Sequence, residues 1–225
     1  MPICYIRYDF KIFSPLGIWA RVKSLGLKCN FDHEQVSQAL SPTAVAIDTR
    51  YRILQNVVAD FQKQIESFLV EAAEKKLDTR NIKLSEEAVF GTLRAADSFF
   101  FEAKALRDLL ETFFVGLLRR CGLSSGKSAH ADFQKLIAQT ELNVGFEWNS
   151  FLKANRDLYT HATAPYPAIA FESEGEQTRR LVFESAPEEY LEPANFDKLL
   201  RGLRALCGNC LQDLARRLDE ALTTT

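Results

Sequence analysis

Proline is missing from the whole stretch between Pro42 and Pro165. That gap removes the commonest helix breaker from more than half the chain and leaves room for long helices. No run of eighteen apolar residues occurs, which argues against a membrane span. Residues 1–20 are apolar and aromatic, yet Arg7, Asp9 and Lys11 interrupt them before a signal-peptide core could form, so a cytoplasmic protein is expected. Histidine is scarce at three residues, and the five cysteines are an odd number with no secretory signal. Reduced thiols are therefore expected rather than a disulfide framework. An excess of basic charge is also missing: the net charge of −2 gives no global pull on nucleic acid, so a polyanion would need a local basic patch.

What is present is helical periodicity. With 47% hydrophobic and 26% charged residues, the 225-residue chain has the composition of a globular protein with a real core. Tyr51, Leu54, Val58, Phe61, Ile65, Phe68 and Ala72 alternate steps of three and four, one continuous apolar stripe. Ser41 and Pro42 read as an N-cap and first-turn proline, which predicts a helix over 42–76. A second stripe runs from Val89 through Leu93, Ala96, Phe100, Ala103, Leu106, Leu110 and Phe113 to Leu117. Ser85 caps it, Glu86 and Glu87 suit its dipole, and Arg119, Arg120 and Gly122 end it. Two such helices would pack as an antiparallel pair.

Shorter helices are expected at 129–139 and 146–161. A β-hairpin of 168–173 with 179–184 would turn around Gly175, and a last helix over 194–222 carries Leu199, Leu203, Leu206, Cys210, Leu214 and Leu218 on one side. The expected fold is all-α: an antiparallel helical bundle over 41–225 as one domain, with the hairpin, within about 168–184, inserted before the last helix. Residues 1–40 read as an N-terminal arm whose structure the pattern leaves open.

Several motifs lose their chemistry on inspection. In "CGLSSGKS", residues 121–128, the glycine of a phosphate-binding loop would have to stand where Cys121 is, and a helix rather than a strand precedes it. "CGNC", Cys207–Cys210, has redox or half-zinc spacing, but it lies inside a helix with no second pair, so buried packing thiols are the better reading. His33 and His130 stand near helix starts and read as solvated or capping histidines.

"NRDLYTH", residues 155–161, is different. Asp157 and His161 are four apart, so on a helix they share a face, and the carboxylate can fix the tautomer of the imidazole. Arg156 and His161 are five apart and diverge by about 140° on a regular helix. They converge only if the last turn unwinds toward "ATAPYP", if the arginine reaches around, or if a second subunit completes the site. Such a set suits metal-independent RNA cleavage, in which histidine takes the proton of a ribose 2′-hydroxyl and arginine grips the phosphate. Asn155 and Tyr159, four apart on the adjoining face, could add hydrogen bonds to the substrate. By spacing alone, a histidine and arginine that simply interact with the dipole and carbonyls of a helix end are the commoner case.

The motif within an all-helical setting resembles the HEPN superfamily, the higher eukaryote and prokaryote nucleotide-binding domains. Its nuclease members carry arginine, a polar residue, three or more residues and then histidine at a helix end. Arg156, Asp157 and His161 match those positions, with aspartate where asparagine is common. The acidic motif of some members is loosely matched in "FFFEAKALRD" through Glu102. The resemblance covers roughly residues 42–161. It implies an endoribonuclease without cofactor or metal, a homodimer whose facing motifs share one cleft, RNA as substrate, and the toxic or defensive half of a pair with an antitoxin. The alternatives are a non-catalytic helical binding or dimerisation module and, less favoured, a redox or metal protein through Cys207 and Cys210. Arg179 with Arg180, Arg201 with Arg204, and Arg216 with Arg217 are candidates to line an RNA path.

Overall fold

The computed structural model describes residues 16–74, 84–161, 166–171, 179–186 and 189–224. It is an all-α protein carrying one small sheet. The helices are α1 (Leu16–Cys29), α2 (His33–Glu74), α3 (Glu86–Arg120), α4 (Gly126–Val144), α5 (Trp148–His161) and α6 (Pro193–Thr224). The strands are β1 (Tyr166–Phe171), β2 (Arg179–Ala186) and β3 (Glu189–Leu191). No helix among the described residues is long and apolar enough to cross a membrane.

Local chemistry sets the helix ends. Ser85 caps α3 as the sequence suggests, its hydroxyl accepting the Ala88 amide at 3.2 Å. The start of α2 differs from expectation: the Gln35 amide donates to Asp32 Oδ1 at 2.9 Å, so the cap is Asp32 and the helix runs through Pro42. A proline there leaves the Gln38 carbonyl without its amide partner. Both residues are exposed, so water can serve that carbonyl. Three helices stop in the same way, with a left-handed residue just past the end: Asn30 (φ 52°), Gly122 (φ 71°) and Gly145 (φ 66°). In each case an amide reaches five residues back, from Phe31 to Gly26, Leu123 to Leu118 and Phe146 to Glu141. "CGLSSGKS" is thus the stop of α3 followed by the start of α4, where Ser125 Oγ accepts the Ser128 amide. It is no phosphate-binding loop.

The chain divides into two compact units, where one domain over 41–225 was expected. The first comprises Met1–Tyr51, Leu106–Thr140 and Arg204–Thr225. Residues 16–40, part of the arm whose structure the sequence leaves undecided, form α1 and the start of α2 and bury Ile18, Val22, Leu25, Val36 and Leu40. Leu40 sits close over Gly116, and Asn209 Nδ2 donates to Thr140 Oγ1 at 2.9 Å to tie α6 to α4.

The second unit comprises Arg52–Ala105 and Glu141–Leu203. Here Gln64 lies over Gly91 and Glu71 accepts both the amide and hydroxyl of Ser85, so α2 and α3 run antiparallel. The sheet order is β1-β2-β3, both pairings antiparallel, with Tyr166 opposite Glu184 and Phe171 opposite Arg179. The hairpin is therefore in the expected place, with a third short strand that sequence did not signal. Its turn, including Gly175, lies outside the described residues. Phe183 of β2 stacks on Phe61 at 5.9 Å, which brings the sheet onto the helical core.

Candidate functional site

Helix α5 carries the motif, and its inward face is fixed by three residues at spacings of four and three: Trp148, Leu152 and Asn155, all nearly sealed from solvent. Trp148 fills the space left by Gly202 of α6, where an added Cβ would stand 2.4 Å from the indole ring. Phe151 packs on Phe100 of α3 at 5.8 Å and on Phe146 at 5.2 Å. At the helix start, Glu141 Oε1 accepts the Asn149 amide at 2.9 Å, a carboxylate placed where the dipole favours it.

On that anchored helix, Arg156 is half-buried and its Nη1 lies 3.6 Å from Oδ1 of exposed Asp157. The helix remains regular through His161, so the unwinding that would bring Arg156 and His161 together does not occur before that residue. Their positions on the backbone therefore diverge by about 140° within one chain. Asp157 and His161 keep the four-residue spacing of a shared face. The side chains of Tyr159 and His161, and residues 162–165, lie outside the described part.

One further candidate changes character. Asn155 is only 5% exposed and its Nδ2 donates to the Phe151 carbonyl at 2.8 Å, so it supports the helix from inside rather than facing a ligand. Glu102 is half-buried on α3. Further along "FFFEAKALRD", Arg107 is 13% exposed and points its guanidinium over Phe133 at 5.4 Å, held by Asp108 and Glu111.

Glu111 also approaches His130: its Oε1 lies 2.9 Å from Nδ1 of the 59% exposed imidazole. With that nitrogen donating, Nε2 is left toward water, so the histidine read as merely solvated or capping is oriented by a carboxylate. Arg107 and Glu111 are legible as a helical ion pair four apart. Nothing in the spacing announces His130, which is nineteen residues further on and beyond the Gly122 turn.

The basic pairs divide likewise. Arg217 binds Asp213 and Asp132, and Arg216 binds Asp213 and Glu220, so neither stands ready for a phosphate. Burial raises the Asp132 carboxyl, but the hydrogen bonds and charges of Lys135 and Arg217 outweigh it and hold the group below the usual carboxylate range. Arg201 and Arg204 are exposed on α6. The side chains of Arg179 and Arg180 lie outside the described part.

The cysteine motif lines the core. Cys207 and Cys210 are each 1% exposed, and burial pushes the Cys207 thiol up to about 12 and the Cys210 thiol well above its ordinary value. Cys121 is raised to about 11 for the same reason. Reactive or metal-binding thiols need the thiolate, which these sites disfavour. Among the described residues, no group of three histidine, cysteine or acidic side chains is placed to hold a metal ion. Comparison with protein-family models, with curated proteins and with solved structures finds no match.

Proposed function

We propose that the chain is an endoribonuclease of the HEPN type whose reaction is carried by Arg156 and His161, with Asp157 orienting the imidazole. The observation that supports it is the placement of arginine, aspartate and histidine at the C-terminal end of one firmly packed helix, with Arg156 and Asp157 reaching solvent. In the reaction, His161 accepts the proton of a ribose 2′-hydroxyl, the 2′ oxygen attacks phosphorus, and the bond to the 5′ oxygen breaks. The imidazolium returns the proton to that leaving oxygen, and a 2′,3′-cyclic phosphate remains. The Arg156 fork steadies the charge on the non-bridging oxygens.

A regular α5 leaves two ways to join the pair, the arginine reaching around its helix or a second copy, and in this reading a working site takes its arginine from one copy and its histidine from another, as the resemblance implies. The substrate is single-stranded or looped RNA, whose backbone can enter such a cleft. A toxic or defensive role beside an antitoxin, in the cytoplasm, completes the proposal. The purified chain should cut RNA in the presence of chelator and leave 2′,3′-cyclic ends. Arg156→Ala and His161→Ala should each lower the rate by about a hundredfold or more; unchanged cutting by either variant refutes the assignment.

One observation favours a second reading. The 140° divergence on a continuous helix is also what a non-catalytic binding or dimerisation module would have, with Arg156 and His161 serving separate contacts. In that case no variant changes RNA integrity, while partner or nucleotide binding depends on the two residues independently.

A further inference from the structure

Outward on α3, away from its core stripe, Phe90 is 64% and Phe101 58% exposed. Eleven residues separate them, which on a helix is about 16 Å along the axis and only about 20° around it. Arg94 and Asp97 lie between them on the same side, both exposed, and make no ion pair with each other or with any described residue. Beside them an open concavity of about 640 Å³ is lined by Gln64, Glu87, Phe90, Gly91, Arg94 and Asp97 among others. Its floor is low because Gly91 has no side chain and Gln64 lies across it.

These positions form a seam with a centre of inversion in their chemistry. Steps of three and four run Glu87, Phe90, Arg94, Asp97, Phe101, Lys104, the spacing by which helices interlock along a heptad seam. About the midpoint between Ala95 and Ala96, every member has a complementary mate: Arg94 with Asp97, Phe90 with Phe101, Glu87 with Lys104. A second α3 laid antiparallel across the first pairs each residue with its mate. It also brings Phe101 of that copy over the concavity beside Phe90. Interfaces related by a two-fold axis require this self-complementarity, and a random surface rarely has it at three successive pairs.

We propose that the outer face of α3 is an interface between two copies of this chain, paired antiparallel about the Ala95–Ala96 midpoint, with Arg94 and Asp97 forming two reciprocal ion pairs. The assignment uses α3 alone and does not depend on the reading of Arg156 and His161.

Sedimentation of the full chain over a dilution series tests it, using Arg94→Asp, Asp97→Arg and the double variant, with circular dichroism to verify the fold. All the substituted positions are exposed, so the helix itself tolerates them. The native chain should be a dimer. Each single variant sets like charges against each other twice and should weaken the dimer at least about tenfold. The double variant exchanges the charges and should restore it. Phe101→Ser should weaken it without rescue. A native chain that stays monomeric, leaving the face to some other protein, overturns the proposal. So does a dimer indifferent to the single variants, or a double variant no better than either single one.

Discussion

In the unit formed by Arg52–Ala105 and Glu141–Leu203, one side chain, Phe196, lies within 4.6 to 6.5 Å of the rings of Phe61, Phe99, Phe100, Phe151 and Phe183. In the unit formed by Met1–Tyr51, Leu106–Thr140 and Arg204–Thr225, the ring contacts among the described residues include Trp19 with Phe113 and Phe114 with Phe133, set among leucines and valines. Beside them stand ion pairs with half-buried members: Arg107 with Glu111 and His130, Asp132 with Arg217, which also holds Asp213, and the more exposed Arg21 with Asp219. The same helices α2, α3 and α6 contribute to both. Burial of rings removes large apolar areas from water. Ion pairs at partial exposure give back in attraction little more than they lose in desolvation and side-chain freedom. The ring cluster should therefore dominate stability, while the charges fix orientation.

The contrast breaks first at Phe196. Phe196→Ala should cost about 3–5 kcal/mol in chemical denaturation, the largest single loss expected; a cost below that of any ion-pair variant would reverse the comparison. Next comes Gly202→Ala, which drives a methyl into the Trp148 indole and should cost about 1–3 kcal/mol, with a shift in tryptophan fluorescence. Removing Glu111 with Glu111→Ala strips Arg107 and His130 of a shared carboxylate, for about 1–3 kcal/mol.

Asp132→Asn should cost about 1 kcal/mol near neutrality, and its pH dependence sharpens the distinction. The folded carboxyl titrates below its unfolded value, so its stabilisation is complete above the ordinary carboxylate range and fades as pH falls through the folded value. The gap between native chain and variant should then close on acidification; a gap that widens instead would contradict the ion-pair reading. Smallest of all, Arg216→Ala should change stability by no more than about 0.5 kcal/mol, since its side chain is 54% exposed.

Sequence made some of this legible and hid the rest for definable reasons. The α3 stripe, its Ser85 cap and its Gly122 stop could be read because each rests on residues within one or two turns. The start of α2 could not: Ser41 and Pro42 carry the usual signals of a first turn, yet Asp32 offers a cap earlier and an exposed Pro42 costs only one solvent-side hydrogen bond. Residues 16–40 carry no decisive pattern because α1 is short and its buried side, Ile18, Val22 and Leu25, is only two turns long. In the candidate site, the helical placement of Arg156 and Asp157 followed from spacing. The inward turn of Asn155 did not, although the four-three rhythm of Trp148, Leu152 and Asn155 contained it. The pairing of Glu111 with His130 depends on how two helices meet, which no local pattern encodes.

The functional reading turns on arginine and histidine from different copies acting together, and mixing inactive variants addresses it directly. Arg156→Ala and His161→Ala, each inert alone on RNA in chelator, should regain about a quarter of native cleavage when exchanged to equal mixtures, because half the dimers then hold one intact pair. Cyclic-phosphate ends should reappear with that activity. Single variants that retain native cleavage, or a mixture as inactive as its components, would contradict a site shared between copies.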